Sequence, residues 1–258
     1  MPPRVAWITV APVKGLALLH LESVRLELFG VRENRRFYLI GEDGRLLNGK
    51  HLAPLVQIRA EWDEAAGTLA LGFPDGNILA GEIELGDAVS TSFYGRREVE
   101  GRLVVGPWSD AISSFVGRRL SLVQPRELGA AVDRAGGPVT ILSTASLEAL
   151  REAAGIAEPI DARRFRMLFG VEGVGPHEED SWLGRVVRFG EAEVEVRGNT
   201  GRCLVTSRHP DSGARNLPTL DVLAEYRGDL ETTERLAFGV WAAVTEPGVV
   251  RLGDPVVP

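Results

Sequence analysis

Residues 55–85 read LVQIRAEWDEAAGTLALGFPDGNILAGEIEL. Three short apolar runs, 55–62, 68–73 and 78–85, are divided by Ala66-Gly67 and by Pro74-Asp75-Gly76-Asn77. Each run has strand length, and Gly, Pro, Asn and Asp are the residues that reverse a chain. Such even spacing of strands and turns predicts a small β-barrel or sandwich.

The same texture extends upstream. Residues 4–13 predict a strand ending at Pro12, and residues 21–29 alternate Val and Leu with charged side chains. Residues 37–40 and 45–47 flank Glu42-Asp43-Gly44 and predict a hairpin turned by Asp-Gly. Downstream the texture changes near Val105-Gly106-Pro107. Residues 108–116 carry apolar side chains on one helical face, started by Ser109 or Asp110. A strand at 120–123, a loop at 127–137 and a strand at 138–142 follow. A helix over 143–154 has Ser143 or Thr144 as its cap and Gly155 at its close.

Residues 161–171 predict a strand with a basic entry, and 186–189 and 191–196 two more, the latter alternating Ala and Val with Glu. The apolar run 203–206 is strand-like, 210–213 is a turn, 218–226 is a helix with Pro in its first turn, and 238–245 is a strand. A final hairpin arm spans 248–254. The expected class is mainly β with a few helices (α+β), and the length allows one large domain or two small ones.

With 258 residues, 44% hydrophobic and 25% charged, the chain has the composition of a globular protein with a sizeable core. A net charge of −7 argues against a broad nucleic-acid-binding face. No apolar stretch has the length of a membrane span, and residues 1–15 lack a signal-peptide layout. No GxSxG, P-loop or HExxH motif occurs, and His20, His51, His177 and His209 are scattered singly. The run His177-Glu178-Glu179-Asp180 could attract a cation, although acidic loops are more often simply solvated.

Cys203 is the only cysteine. It cannot form an intrachain disulfide, and a reducing, cytoplasmic setting is expected. Lone cysteines are commonly small buried hydrophobes. Here Gly201 and Arg202 precede it, and a cation beside a thiol at a Gly-rich turn favours the nucleophilic, metal-binding form.

Several segments taken together resemble the MOSC superfamily, and in particular its two-part members, the amidoxime-reducing components. They are Ala11-Pro12-Val13-Lys14, Arg35-Arg36-Phe37-Tyr38, residues 142–147 (LSTASL), Arg164-Phe165-Arg166, Asp180-Ser181-Trp182, Gly201-Arg202-Cys203 with Thr206, and Phe238-Gly239 before Gly253-Asp254. The resemblance implies an N-terminal MOSC-associated β-barrel over 1–106 packed on a MOSC-type β-barrel over 107–258. It implies a molybdenum cofactor (molybdopterin) between the two, with Cys203 as metal ligand and catalytic centre. Lys14, Arg36 and Arg166 match positions that hold the cofactor's phosphate and pterin, and Gly15, Gly201, Arg202 and Trp241 fall in the same motifs.

This chain departs from the family pattern at Gly15 and Gly201, where Ser is usual, at Met167-Leu168 in place of Pro-Asn, and at Trp241 in place of Tyr. Backbone N–H groups at the two glycines can approach an anion. The implied activity is reduction of small N-oxygenated substrates with electrons from a separate donor protein, since one cysteine cannot hold an iron–sulfur cluster. The alternatives are a carrier of the cofactor or of sulfur without small-substrate turnover, and a ligand-binding barrel without the metal.

Overall fold

The 55–85 stretch builds an antiparallel sheet of Arg59–Asp63, Thr68–Gly72 and Ile78–Glu82, in that order. Period-2 alternation puts Ala60, Leu69 and Leu71 on its buried face. The first expected strand starts late. Residues Ala53–Gln57 form a 3-10 turn with Pro54 at its start, where a missing N–H costs nothing. The computed structural model describes residues 2–258.

A second sheet runs in the order Glu84–Phe93, Arg97–Val105, Leu120–Pro125, Tyr38–Gly41, Leu46–Leu47. Its last two strands are the expected Asp-Gly hairpin. Its first two form a long hairpin closed by Tyr94, Gly95 and Arg96, in which Tyr94 and Gly95 have φ of 59° and 67° and Arg96 N donates to Phe93 O at 3.1 Å. Helix α1 (Trp108–Val116) packs on this half, and Trp108 Nε1 donates to Leu69 O at 3.1 Å. Val13, Leu16, Phe37, Leu55, Leu69, Trp108, Ile112 and Leu122 share one core. Packing thus continues across the change of texture at Gly106: α1 and Leu120–Pro125 lie with the first half.

The second half is an eight-stranded curled sheet, ordered Val256–Val257, Val186–Phe189, Ala192–Gly201, Ala237–Glu246, Val139–Ser143, Phe169–Glu172, Arg4–Val10, Leu19–His20. Val139–Ser143 pairs parallel with Phe169–Glu172, and α2 (Thr144–Ala153) lies in the crossover. Arg4–Val10 pairs antiparallel with Phe169–Glu172, so the start of the chain supplies Val5, Ile8 and Val10 to this half's core. The arm at Gly248–Arg251 pairs with Ser23–Glu27 and not with its sequence neighbour, burying Val24, Leu26 and Val250.

Two further expectations change in form. Residues 161–171 are not one strand, because the Asp161 side chain accepts from Arg163 N at 2.9 Å and caps a 3-10 turn, Ala162–Phe165; the strand begins at Phe169. Residues after Cys203 form a second 3-10 turn, Leu204–Ser207, with Cys203 at its N-cap position. Helix α3 (Thr219–Arg227) follows Pro218 as expected.

Candidate functional site

A turn at Lys14 and Gly15 follows the first strand, and Lys14 N donates to Phe37 O at 2.8 Å, which fixes the turn against the first half. Lys14 is buried, and its Nζ donates to Asp133 Oδ1 at 2.7 Å and to Ala131 O at 2.9 Å. Three more groups converge there. Arg35 Nη2 lies 3.0 Å from Asp133 Oδ2, Tyr94 OH donates to Asp133 Oδ1 at 2.8 Å, and Arg166 Nη2 donates to Leu16 O at 2.7 Å.

Arg202 is spent on the protein itself. It donates to Phe238 O and Phe165 O and lies against Met167 Sδ, with its guanidinium 5.4 Å from the Phe165 ring centroid. It thereby ties the chain just before Cys203 to two neighbouring segments, while the Cys203 side chain is exposed.

The charges explain one another. Burial pushes the Lys14 ammonium down to about 8; Asp133 opposes this, and Arg35 and Arg166 add to it. Loss of water alone would raise the Asp133 carboxyl. Arg35 and Lys14, with the hydrogen bonds from Lys14 and Tyr94, outweigh that and hold it far below the usual carboxylate range. Burial, then Arg35, brings Arg166 down to about 10. Burial, then Arg134, brings Arg202 down to about 9, with Cys203 acting in the opposite direction. Enclosure of the Tyr94 hydroxyl, followed by Asp133 and more weakly Cys203, raises its phenol. Cys203 therefore shares an electrostatic neighbourhood with Tyr94 and Arg202.

Five non-glycine residues have positive φ among those described: Arg35, Tyr94, Arg166, His177 and Leu236. Three of them hold the cluster, the kind of backbone strain that persists where surrounding structure over-determines it. Arg35, Tyr94 and Asp133 are the residues that the sequence reading missed. Asn and Gly announce a left-handed backbone, whereas Arg and Tyr do not.

The remaining expected residues fall as follows. Arg36 lies outside the Asp133 cluster, with Nε 3.4 Å from Glu64 Oε2, and that buried Nε has no hydrogen-bond partner. Gly15 has φ +96°, and a Cβ there would sit 3.1 Å from Asn48 Cα. The Gly201 N–H is already taken, donating to Glu234 Oε2 at 2.9 Å. Leu168 is buried in the core. Trp241 spreads over Gly137 and Gly198, where an added Cβ would come within 2.4 and 2.6 Å of the indole. On the far side of Arg166 a cavity of about 40 Å³ is lined by Arg163, Arg164, Arg166, Arg208 and His209, and Arg208 Nε is buried without a partner.

The acidic run His177–Asp180 is committed to structure. Glu179 is fully buried and accepts from Ser143 N and Ser146 Oγ, and Asp180 pairs with Arg227 at 2.5 Å. No group of three or more His, Cys, Asp or Glu side chains among the described residues is arranged to hold a metal ion. No helix among them is long and apolar enough to cross a membrane.

A family model described as "MOSC domain" matches residues 126–257, and one described as "MOSC N-terminal beta barrel domain" matches residues 3–120. Mitochondrial amidoxime-reducing component 1 of Mus musculus is 27% identical, the alignment covering 98% of this chain and 81% of that protein. The Homo sapiens protein of the same name is 25% identical over 98% and 82%. Molybdenum cofactor sulfurase of Oryza sativa subsp. japonica is 25% identical over 90% of this chain and 31% of its own length.

Proposed function

The chain belongs to the family that joins a MOSC N-terminal beta barrel domain to a MOSC domain, and from that premise we propose that it binds the molybdenum cofactor between its halves and reduces small N-oxygenated substrates. The observation that carries this reading is one exposed thiol, Cys203, next to the buried Arg202 and within electrostatic reach of Tyr94, whose hydroxyl donates to the Asp133 that Lys14 and Arg35 hold.

The residues fit such a group. Cys203 offers a soft sulfur ligand open to solvent, and molybdenum is a metal that such a ligand suits. Buried cations and guanidinium nitrogens without hydrogen-bond partners, Arg36 Nε and Arg208 Nε, suit an anionic phosphate and a pterin rich in acceptors. When bound, the cofactor supplies the electron and oxygen-atom chemistry. The chain's part is positional. Cys203 anchors the metal, Lys14, Arg35 and Arg166 neutralise the phosphate, and Arg202 fixes the backbone before the thiol. Arg36, whose Nε is ion-paired with Glu64 Oε2 at 3.4 Å, supplies a further cation, and Gly15 and Gly201 keep the walls thin. Electrons come from a separate donor protein, and the exposed thiol suits a reducing compartment such as the cytoplasm.

The test is elemental analysis of the protein purified from a cofactor-producing host. Stoichiometric molybdenum is expected, and Cys203→Ala should lose metal and reductase activity while its circular dichroism spectrum is unchanged. Activity retained in that variant rejects the mechanism. A second reading, a carrier of the cofactor or of sulfur, draws on the openness of Cys203 and on Glu234, which fills the space that a residue-201 side chain would use. A sulfur adduct on Cys203 in the intact mass, without reductase turnover, would select it.

A further inference from the structure

Residues 126–138 connect the last strand of the first half, Leu120–Pro125, to the first strand of the second, Val139–Ser143. This connection is tied down at four consecutive residues: Ala131 O accepts from Lys14 Nζ and Val132 O from Arg97 Nη2, and the next two residues are held through their side chains. The Asp133 carboxylate takes what a bound anion would take: Lys14 Nζ at 2.7 Å, Arg35 Nη2 at 3.0 Å and Tyr94 OH at 2.8 Å. Arg134 grips Glu234 through two bonds of 2.7 and 2.6 Å, and Glu234 accepts the Gly201 N–H two residues before Cys203. Asp133 is nevertheless not sealed in, since its side chain is 37% exposed against 4% for Lys14.

The connection itself walls one side of a cavity of about 420 Å³, lined by Leu128, Ala130, Val132 and Gly136 together with Arg97 and Val99. Gly129 and Gly136 near the two ends of the connection have φ of +75° and +70°; Gly129 is packed, since a Cβ there would meet Phe29 O at 2.4 Å, whereas around Gly136 there is open space. The segment therefore borders empty space on one side and has one glycine, Gly136, with room to bend.

We propose that Asp133 is a built-in stand-in for the ligand's phosphate, and that the 126–138 connection is a strap which yields when an anion replaces Asp133 on Lys14 and Arg35. The proposal rests on the preceding reading only for where the anion sits; it needs no metal. Binding is an exchange, in which the ligand gains Lys14 and Arg35 and the strap loses them. The apparent affinity is lowered by the cost of displacing Asp133.

The experiment is calorimetric titration of the metal-free full chain with inorganic pyrophosphate, comparing wild type with Asp133→Asn. A neutral amide holds the two cations less firmly than a carboxylate does, so the variant should bind about tenfold more tightly. Equal or weaker binding by the variant overturns the proposal, as does no binding by either protein. Should Asp133→Asn fail to fold, Glu234→Gln releases the other end of the strap and leaves Lys14, Arg35 and Asp133 intact. Tighter pyrophosphate binding and faster amide exchange over 128–136 are then expected, and no change in either rejects the strap. Purified protein without molybdenum would sink the enzyme reading and leave this measurement standing.

Discussion

Lys14 carries a charge into a place that excludes water, and that has a measurable sign. Its folded value of about 8 lies below the 10.5 of an unperturbed lysine, so between those pH values the unfolded chain binds more protons. Through this group stability should rise with pH across that window, by up to roughly 3 kcal/mol. Lys14→Met should remove the rise, as read from urea unfolding at pH 7.5 and pH 10. Gly201 makes a different prediction. A side chain there would meet Glu234 Oε2 at 2.7 Å and Arg235 O at 2.9 Å, so Gly201→Ser should destabilise by about 1–3 kcal/mol in a thermal melt. At this scale the sequence was half readable. A lone cysteine after Gly-Arg stands out by composition, whereas the aim of Arg35 and Tyr94 depends on backbone angles that their residue types do not announce.

Among the elements, α2 shows how a cap doubles as a tether. Ser143 Oγ accepts from Ser146 N at 3.0 Å, closing the first turn, while Ser143 N and Ser146 Oγ both bond the buried Glu179. Ser143→Ala should therefore cost about 1–2 kcal/mol by chemical denaturation. This helix was legible because Ser-Thr before an apolar face and Gly after it are local signals. The hairpin of Glu84–Phe93 and Arg97–Val105 was not, since most of its outer residues are exposed and only every second residue near the turn is buried. Nor was the 3-10 turn after Cys203: four residues of strand-like composition were overruled by the bond from Thr206 Oγ1 back to Cys203 O at 3.0 Å.

For the whole molecule, family halves and structural halves do not divide the chain in the same place. Residues 4–31 lie largely in the second half, where Arg4–Val10 sits in its sheet and Ser23–Glu27 pairs with Gly248–Arg251. A fragment of residues 126–257 should therefore be unfolded alone, and adding residues 1–31 as a separate peptide should restore amide dispersion in its NMR spectrum. Strand content could be read from periodicity and turns. Which strand pairs with which could not, because Val24 and Leu26 say that a face is buried without naming the partner. The pairing of Arg4–Val10 with Phe169–Glu172 also sets a timetable for synthesis. A ribosome adding about 5–20 residues per second needs on the order of ten seconds or more to deliver the partner. During that interval the nascent segment AWITV waits uncovered, a natural client for whatever chaperone stands at the exit tunnel.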